Sequence, residues 1–445
     1  MELNWTTEQV QALAPDVASH KAALGLVKTQ KWPTLAYNES VIWGECQGSG
    51  NKPYQTRIAL DAPSFKCSCP SRKFPCKHAL GLFLLLVQQR NAFTQLDEPP
   101  PWVAEWLEGR AKRQAKKTAK ANKPVDPVAQ AKRIEQREKK VRAGLEELSL
   151  WLRDLVRNGL AELRSKPADF FESMAARMVD AQTPGLANRV RELFNALGSG
   201  QDWASNVLEA VARLHLLVES YQRLDLLSPD LQNDIRSLVG WTLNKEEILQ
   251  QAAICDHWLV LGQYESADDI GQLLIQRIWL QGANTDKMAL LLNFAHPNAR
   301  SSLDYGWITG TKVKAELCFY PAAVPLRAVV KAHYDTTPIT KVKGADTLQT
   351  ALAIYKNAIT KQPWIERFPM ALENIIINQL DNKWWLTDTT AHNLPIVNNF
   401  NRLWELIAVS GGYPVTVFGE WQNTFFYPLG IWHEKSYVDL MVNGE

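Results

Sequence analysis

The fold class this sequence predicts is a multidomain α+β chain: a small ββα unit, a central helical region and a C-terminal strand-rich lobe. Three observations carry that expectation. The chain has 445 residues, more than one ordinary core organises, so two or three domains are expected. Near residue 256 the apolar pattern changes from three- and four-residue spacing to short strand-like runs, which divides helical from strand-rich sequence. The charge is also uneven: residues 1–142 hold 23 basic and 13 acidic residues, and residues 143–445 hold 26 and 34. Halves of opposite sign attract each other or meet different partners.

The elements follow in order. Residues 1–109 open with a helical pattern over 7–24. Strand-like runs at 40–46 and 54–60 flank the polar, glycine-rich 47–51, which predicts a hairpin. A cysteine cluster leads into 78–87, a buried helix by length and composition, and Pro99, Pro100 and Pro101 close the region. Residues 110–142 carry 13 basic and three acidic residues around Pro124 and Pro127. Too polar to form a core, they read as a linker passing into a solvated helix, or as an arm for nucleic acid.

Residues 143–255 form the helical domain. Leu145, Leu148, Leu152 and Leu155 share one helical face, and breaks fall at Pro167, Pro184, 198–200 and Pro229. Ser228 reads as a helix cap with Pro229 in the first turn. From 256 to 445, an α+β or mostly β lobe is expected. Its strand-like runs lie at 258–261, 277–280, 288–292, 313–320, 326–330, 384–386 and 415–418, with a helix near 346–359.

Composition narrows the functional class. No apolar run approaches the roughly 18 residues that span a bilayer, so no membrane role is expected. The first residues lack the basic and apolar blocks of a secretory signal, and a cytoplasmic location is expected. There are six cysteines and 17 tryptophans. Three cysteines are clustered, and in a reducing compartment a cluster reads as metal-binding rather than disulfide-forming.

That cluster reads Cys67-Ser68-Cys69-Pro70-Ser71-Arg72-Lys73-Phe74-Pro75-Cys76-Lys77-His78. Residues two apart in an extended segment point the same way, so Cys67 and Cys69 can offer both sulfurs to one ion. Pro70 and Pro75 bend the loop that returns Cys76, and His78 opens the following helix. Three thiolates and an imidazole suit tetrahedral zinc, and four protein ligands leave no open position. One structural zinc ion is therefore expected. Cys46 reads as a strand core residue.

The spacing Cys67-x-Cys69-x6-Cys76-x-His78, after two strands and before an apolar helix, resembles a SWIM zinc finger. The rest of the chain resembles bacterial SWIM-finger proteins, notably at 148–156 and 174–185. The resemblance implies a zinc-binding, non-enzymatic protein that contacts DNA or other proteins. It also implies partners of the MoxR-type AAA+ ATPase or von Willebrand factor A-type kinds.

Two binding functions stay open. Lys52, Arg57, Lys66, Arg72, Lys73 and Lys77 surround the cluster and could hold phosphates, with little sequence specificity because the following helix is apolar. The acidic remainder instead reads as a docking scaffold for a protein partner. Catalysis is not expected. Asp256–His257, His333–Asp335 and His433–Glu434 are pairs without a third group, and no Gly-x4-Gly-Lys phosphate loop or Gly-x-Ser-x-Gly elbow occurs.

Overall fold

A computed structural model describes residues 7–14, 17–48, 50, 52–60, 64–71, 73–121, 127–198, 202–268, 273–297, 300, 303–304, 306–422, 424–433 and 436–441. It has a mixed α/β architecture, as the sequence predicts: an N-terminal sheet bearing the cysteine cluster, a helical centre and C-terminal strand-rich sheets.

The N-terminal sheet has the order β4-β3-β2-β1-β5. Its strands are β1 (Thr34–Tyr37), β2 (Val41–Cys46), β3 (Tyr54–Ala59), β4 (Ser64–Cys67) and β5 (Thr94–Gln95). The expected hairpin is β2–β3. β1, β4 and β5 are too short to show a period, and tertiary pairing defines them. The β1–β2 turn is set by Asn38, whose Oδ1 accepts from the amides of Ser40 and Val41 at 3.0 Å each. The 7–24 pattern resolves into α1 (Thr7–Ala12) and α2 (Val17–Leu24). Both pack on α3 (Lys77–Gln88).

From His78 through Leu86, α3 is buried on every side, between α1 and α2 and the sheet. Each of its large apolar side chains contributes roughly 1.5–3 kcal/mol relative to an exposed one. The other face of the sheet is covered by α4 (Pro101–Ala121), whose Val103 packs on Ala36, Val41 and Trp43.

Two boundaries are corrected here. The 109/110 boundary falls inside α4, and 142/143 falls inside α5 (Pro127–Asn158). The solvated helix expected at the end of 110–142 is the first part of α5, and 110–121 is helical too, as the end of α4; 122–126 lies outside the described residues. Pro101, expected to close the first region, and Pro127, expected to interrupt the basic stretch, both begin helices, where the missing proline N–H has no intrahelical partner to lose.

The central helices continue with α6 (Ala168–Asp180), α7 (Pro184–Leu197), α8 (Trp203–Gln222), α9 (Pro229–Val239) and α10 (Lys245–Leu249). Leu145, Leu148, Leu152 and Leu155 enter one core with Met174, Val190 and Leu217. The Ser228 cap is present, its Oγ accepting from the Leu231 amide at 3.5 Å. Gly185 is required by close packing: a Cβ there would lie 2.0 Å from the Leu238 carbonyl oxygen of α9.

In the C-terminal lobe five strands close a barrel: β6 (Ile254–Ala267), β7 (Leu274–Gly282), β8 (Met288–Ala295), β9 (Thr311–Phe319) and β10 (Arg327–Pro338). β6 pairs antiparallel with β7 and β9, while β8 and β10 close the ring in parallel. A six-stranded sheet follows, in the order β13-β12-β11-β14-β15-β16. It comprises β11 (Phe368–Leu380), β12 (Lys383–Thr387), β13 (Asn393–Pro395), β14 (Val415–Gln422), β15 (Phe425–His433) and β16 (Ser436–Asp439). The expected helix is α11 (Leu348–Lys361), and α12 (Leu403–Ser410) is additional. Every strand-like run read from the sequence lies on one of these strands or overlaps its end, whereas β11, β13, β15 and β16 carried no clear alternation.

Polar contacts join the bundle to this lobe. Asp234 of α9 accepts from the Ala323 amide at 2.8 Å and the Gln362 side chain at 3.1 Å. The Trp364 indole donates to the Arg213 carbonyl at 2.9 Å. Burial pushes the Asp234 carboxyl from 3.8 up to about 6, although both hydrogen bonds oppose the shift. The folded chain thus holds this proton more tightly than the unfolded chain. As pH rises from about 4 to about 6 the unfolded state ionises first, so this residue's contribution to stability falls through that window. Asp234→Asn is expected to flatten that part of the melting-temperature profile relative to wild type.

Among the described residues, no helix is long and apolar enough to cross a membrane.

Candidate metal centre

The ligands are presented by three local devices. Cys67 ends β4 opposite Thr56 of β3, whose Oγ1 lies 3.2 Å from the Cys67 sulfur. Cys69 follows two residues on, where the chain leaves the strand. The returning loop is tied by Ser71, whose Oγ accepts from the Lys73 amide at 3.2 Å. Phe74 packs edge-on against Phe65, with ring centroids 5.9 Å apart, so it belongs to the finger's core. Cys76 is the residue before α3, in extended conformation, and its carbonyl accepts from the Leu80 amide at 3.1 Å. His78 lies in the first turn, its ring 4.8 Å from that of Tyr54.

The four ligand atoms lie within 4.8 Å of one another, and no other cluster of three or more His, Cys, Asp or Glu ligands occurs among the described residues. The Cys67 sulfur is 3.9 Å from Nδ1 of His78. Zinc bonds of about 2.3 Å to sulfur and about 2.0 Å to nitrogen place tetrahedral ligands at comparable separations. The donors also fit chemically. Cys67, Cys69, Cys76 and His78 are positioned to bind one zinc ion.

Burial and mutual hydrogen bonding perturb three of these groups. Hydrogen bonds with Cys67 and Cys69, then burial, drive the Cys76 thiol far above its ordinary value. Hydrogen bonds from Cys67 and Cys76 hold Cys69 far below its own, with further help from His78 and the Ser71 amide. Burial opposes a charge on His78, but hydrogen bonds and charge from Cys67 and Cys69 outweigh it and lift the imidazole to about 9. A divalent ion replaces this crowding of sulfurs and protons with direct coordination. Cys46 is buried in β2 as expected. Burial, with the Cys67 charge, pushes its thiol to about 11.

The basic residues read around the cluster separate. Lys73 and Lys77 line a groove of about 660 Å³ beside the ligands, together with Tyr54, Pro70 and Lys31. Lys31 was missed because it lies well upstream and reaches the groove only through the packing of the α2–β1 connection. Lys66 is exposed on β4, directly opposite Arg57 in the β3–β4 register. Arg57 is half-buried, its guanidinium 5.0 Å from the Trp102 ring and 5.8 Å from that of Trp106, and burial lowers its pKa. It braces α4 on the sheet instead of facing solvent. Lys52 is exposed in the β2–β3 turn, and Arg72 lies outside the described residues.

Asp256 caps a turn, its carboxylate accepting from the Thr285 amide at 2.9 Å and hydroxyl at 2.6 Å. His333 lies beside the Trp307 ring, and Glu434 is outside the described residues.

Fold and site together define a Cys3His zinc finger joined to a helical bundle. Residues 64–86 match the family model of the SWIM zinc finger, and residues 136–239 match that of the SWIM-associated four-helix bundle domain. These two matches, in this order, are those of a SWIM zinc finger domain-containing protein. The second runs from within α5 to the last residue of α9. No curated protein and no solved structure matches the chain.

Proposed function

We propose that the chain is a non-enzymatic cytoplasmic binding protein whose zinc finger holds nucleic acid through phosphate contacts. The observation that carries this reading is the groove beside the ligands. Lys31, Lys73 and Lys77 line it, and no acidic side chain among the described residues does. Lys73 and Lys77 sit on the ligand-bearing segment itself, so zinc fixes where two of the three charges point. Tyr54 offers a ring on the same wall, and aromatic rings accept bases with little sequence preference. A closed four-ligand shell leaves zinc no position for a reacting water, which supports a binding role over catalysis.

Binding of a 20-nucleotide single strand to the full chain should weaken steeply with salt. Three phosphate contacts correspond to a slope of about −2 in log K against log salt. Changing Lys31, Lys73 and Lys77 together to Glu should abolish binding while zinc content is unchanged. Wild-type binding that is insensitive to salt would remove this reading.

A second reading, a protein partner docked on the C-terminal lobe, is favoured by Trp404 and Tyr413, which are 75% and 70% exposed. Exposed aromatic residues of this size commonly anchor interfaces. An AAA+ ATPase of the MoxR type or a von Willebrand factor A-type protein is the partner class that the family resemblance brings to this reading.

A further inference from the structure

The barrel is closed by a very short seam. β8 and β10 pair only where Arg327 meets Leu290 and Ala328 meets Leu291, yet β8 runs on to Ala295 and β10 to Pro338. Beyond the seam lies a groove of about 650 Å³ between this part of the barrel and α9. Its lining includes the stretches 291–294 and 327–330.

The hydrogen-bond pattern fixes what β8 presents there. Gly282 donates to the Lys287 carbonyl on the β7 side, whereas Leu290 donates to the Leu326 carbonyl on the opposite side. Amide direction alternates along a strand, so Leu292 and Phe294 also face away from β7. The seam register uses the Leu292 N–H toward Ala328, and the Leu292 C=O with the N–H and C=O of Phe294 lies beyond the seam, toward the groove. This is an open strand edge, of the kind that an added extended chain completes. Phe294 is half exposed beside it.

The charges select among chains. Arg327 lies over the Tyr320 ring at 4.4 Å, and neither it nor Lys245 has a carboxylate partner among the described residues. The two acidic side chains that line the groove among the described residues are already hydrogen-bonded. Asp304 accepts from the Gly306 amide and the Trp307 indole, and Asp234 from Ala323 and Gln362. Two free cations suit one or two carboxylates. They are too few, with two aspartates beside them, to hold a polyphosphate backbone.

We infer that this groove binds an extended peptide of a partner protein, which pairs with the β8 edge at the Leu292 carbonyl and Phe294 and places an acidic side chain at Arg327. The site is separate from the zinc finger, so it can be occupied whether or not the finger binds nucleic acid.

The test is selection of linear phage-displayed peptides on the full zinc-loaded chain, followed by titration of the fluorescein-labelled winners. The expected winners alternate apolar residues with Asp or Glu and slow amide exchange at residues 292–294. Arg327→Glu should weaken them about tenfold or more, and Phe294→Pro should do the same by removing the edge N–H beyond the seam. Phe294→Ala, at an exposed position, provides a variant whose folding is not at risk. Winners that bind wild type and all three variants equally would overturn the proposal, as would selection yielding no acidic extended peptide. A thymidine 12-mer that protects residues 292–294 in place of peptide would also overturn it.

Discussion

Stripping zinc from the full chain is expected to release the finger while leaving the rest of the protein folded. Structural zinc in small fingers contributes on the order of 10 kcal/mol or more of apparent binding free energy, and that energy is folding free energy. Here the site ties β4, the 68–76 loop and the first turn of α3 together. The apolar core around Leu80, Leu82 and Phe83 does not depend on the ion, so α3 should remain while the loop and β4 lose protection. Amide exchange after chelation should rise sharply at residues 64–78 and stay unchanged at 258–280. Cys76→Ser is expected to reproduce this pattern, because Cys76 is the most buried thiolate of the set and its loss opens the shell. Equal protection with and without chelator would show that the ion has no structural role.

The second large effect lies at the seam between barrel and sheet. Glu420 of β14 is completely buried. Its carboxylate accepts from the Tyr264 hydroxyl at 2.8 Å, the Trp279 indole at 2.7 Å, Arg367 at 3.0 Å and Gln422 at 3.0 Å. Burial first, then the Glu420 charge, push the Tyr264 hydroxyl above its ordinary value, so the donors stay protonated. A buried acid with four donors is stable only as a set. Glu420→Leu leaves the Trp279 and Tyr264 donors without their acceptor and should destabilise the C-terminal lobe by about 1–3 kcal/mol for each, whereas Arg367, 40% exposed, keeps part of its hydration. Adding Arg367→Met should recover only part of that loss, which a denaturant titration of the four variants would read as a coupling energy. A purely additive result would mean that the pair does not act as a unit.

What was legible in the sequence was local. The four ligands sit within one short segment, and their spacing constrains geometry whatever the rest of the chain does. The β2–β3 hairpin and α3 follow from turn residues and apolar content, and the Ser228-Pro229 start follows from capping chemistry. Proline was harder to read, because it ends a helix from inside and begins one from its first turn. Pro101 and Pro127 therefore concealed α4 and the start of α5. Arg57 looked like a free cation, since nothing local announces that Trp102 and Trp106 will cover it. The barrel was illegible because its defining contacts, β6 with β9 and β8 with β10, join distant segments. Glu420 was illegible for the same reason: a glutamate in a strand reads as solvent-facing until the partner sheet that buries it is known.

Cys67, Cys69, Cys76 and His78 are positioned to bind one zinc ion. Native mass spectrometry of the full chain, beside the four single variants Cys67→Ser, Cys69→Ser, Cys76→Ser and His78→Ala, tests it most directly. One zinc per wild-type chain, with sharply reduced occupancy in every variant, is the predicted result. A wild-type chain that carries no zinc, or variants that retain it as wild type does, would contradict the account.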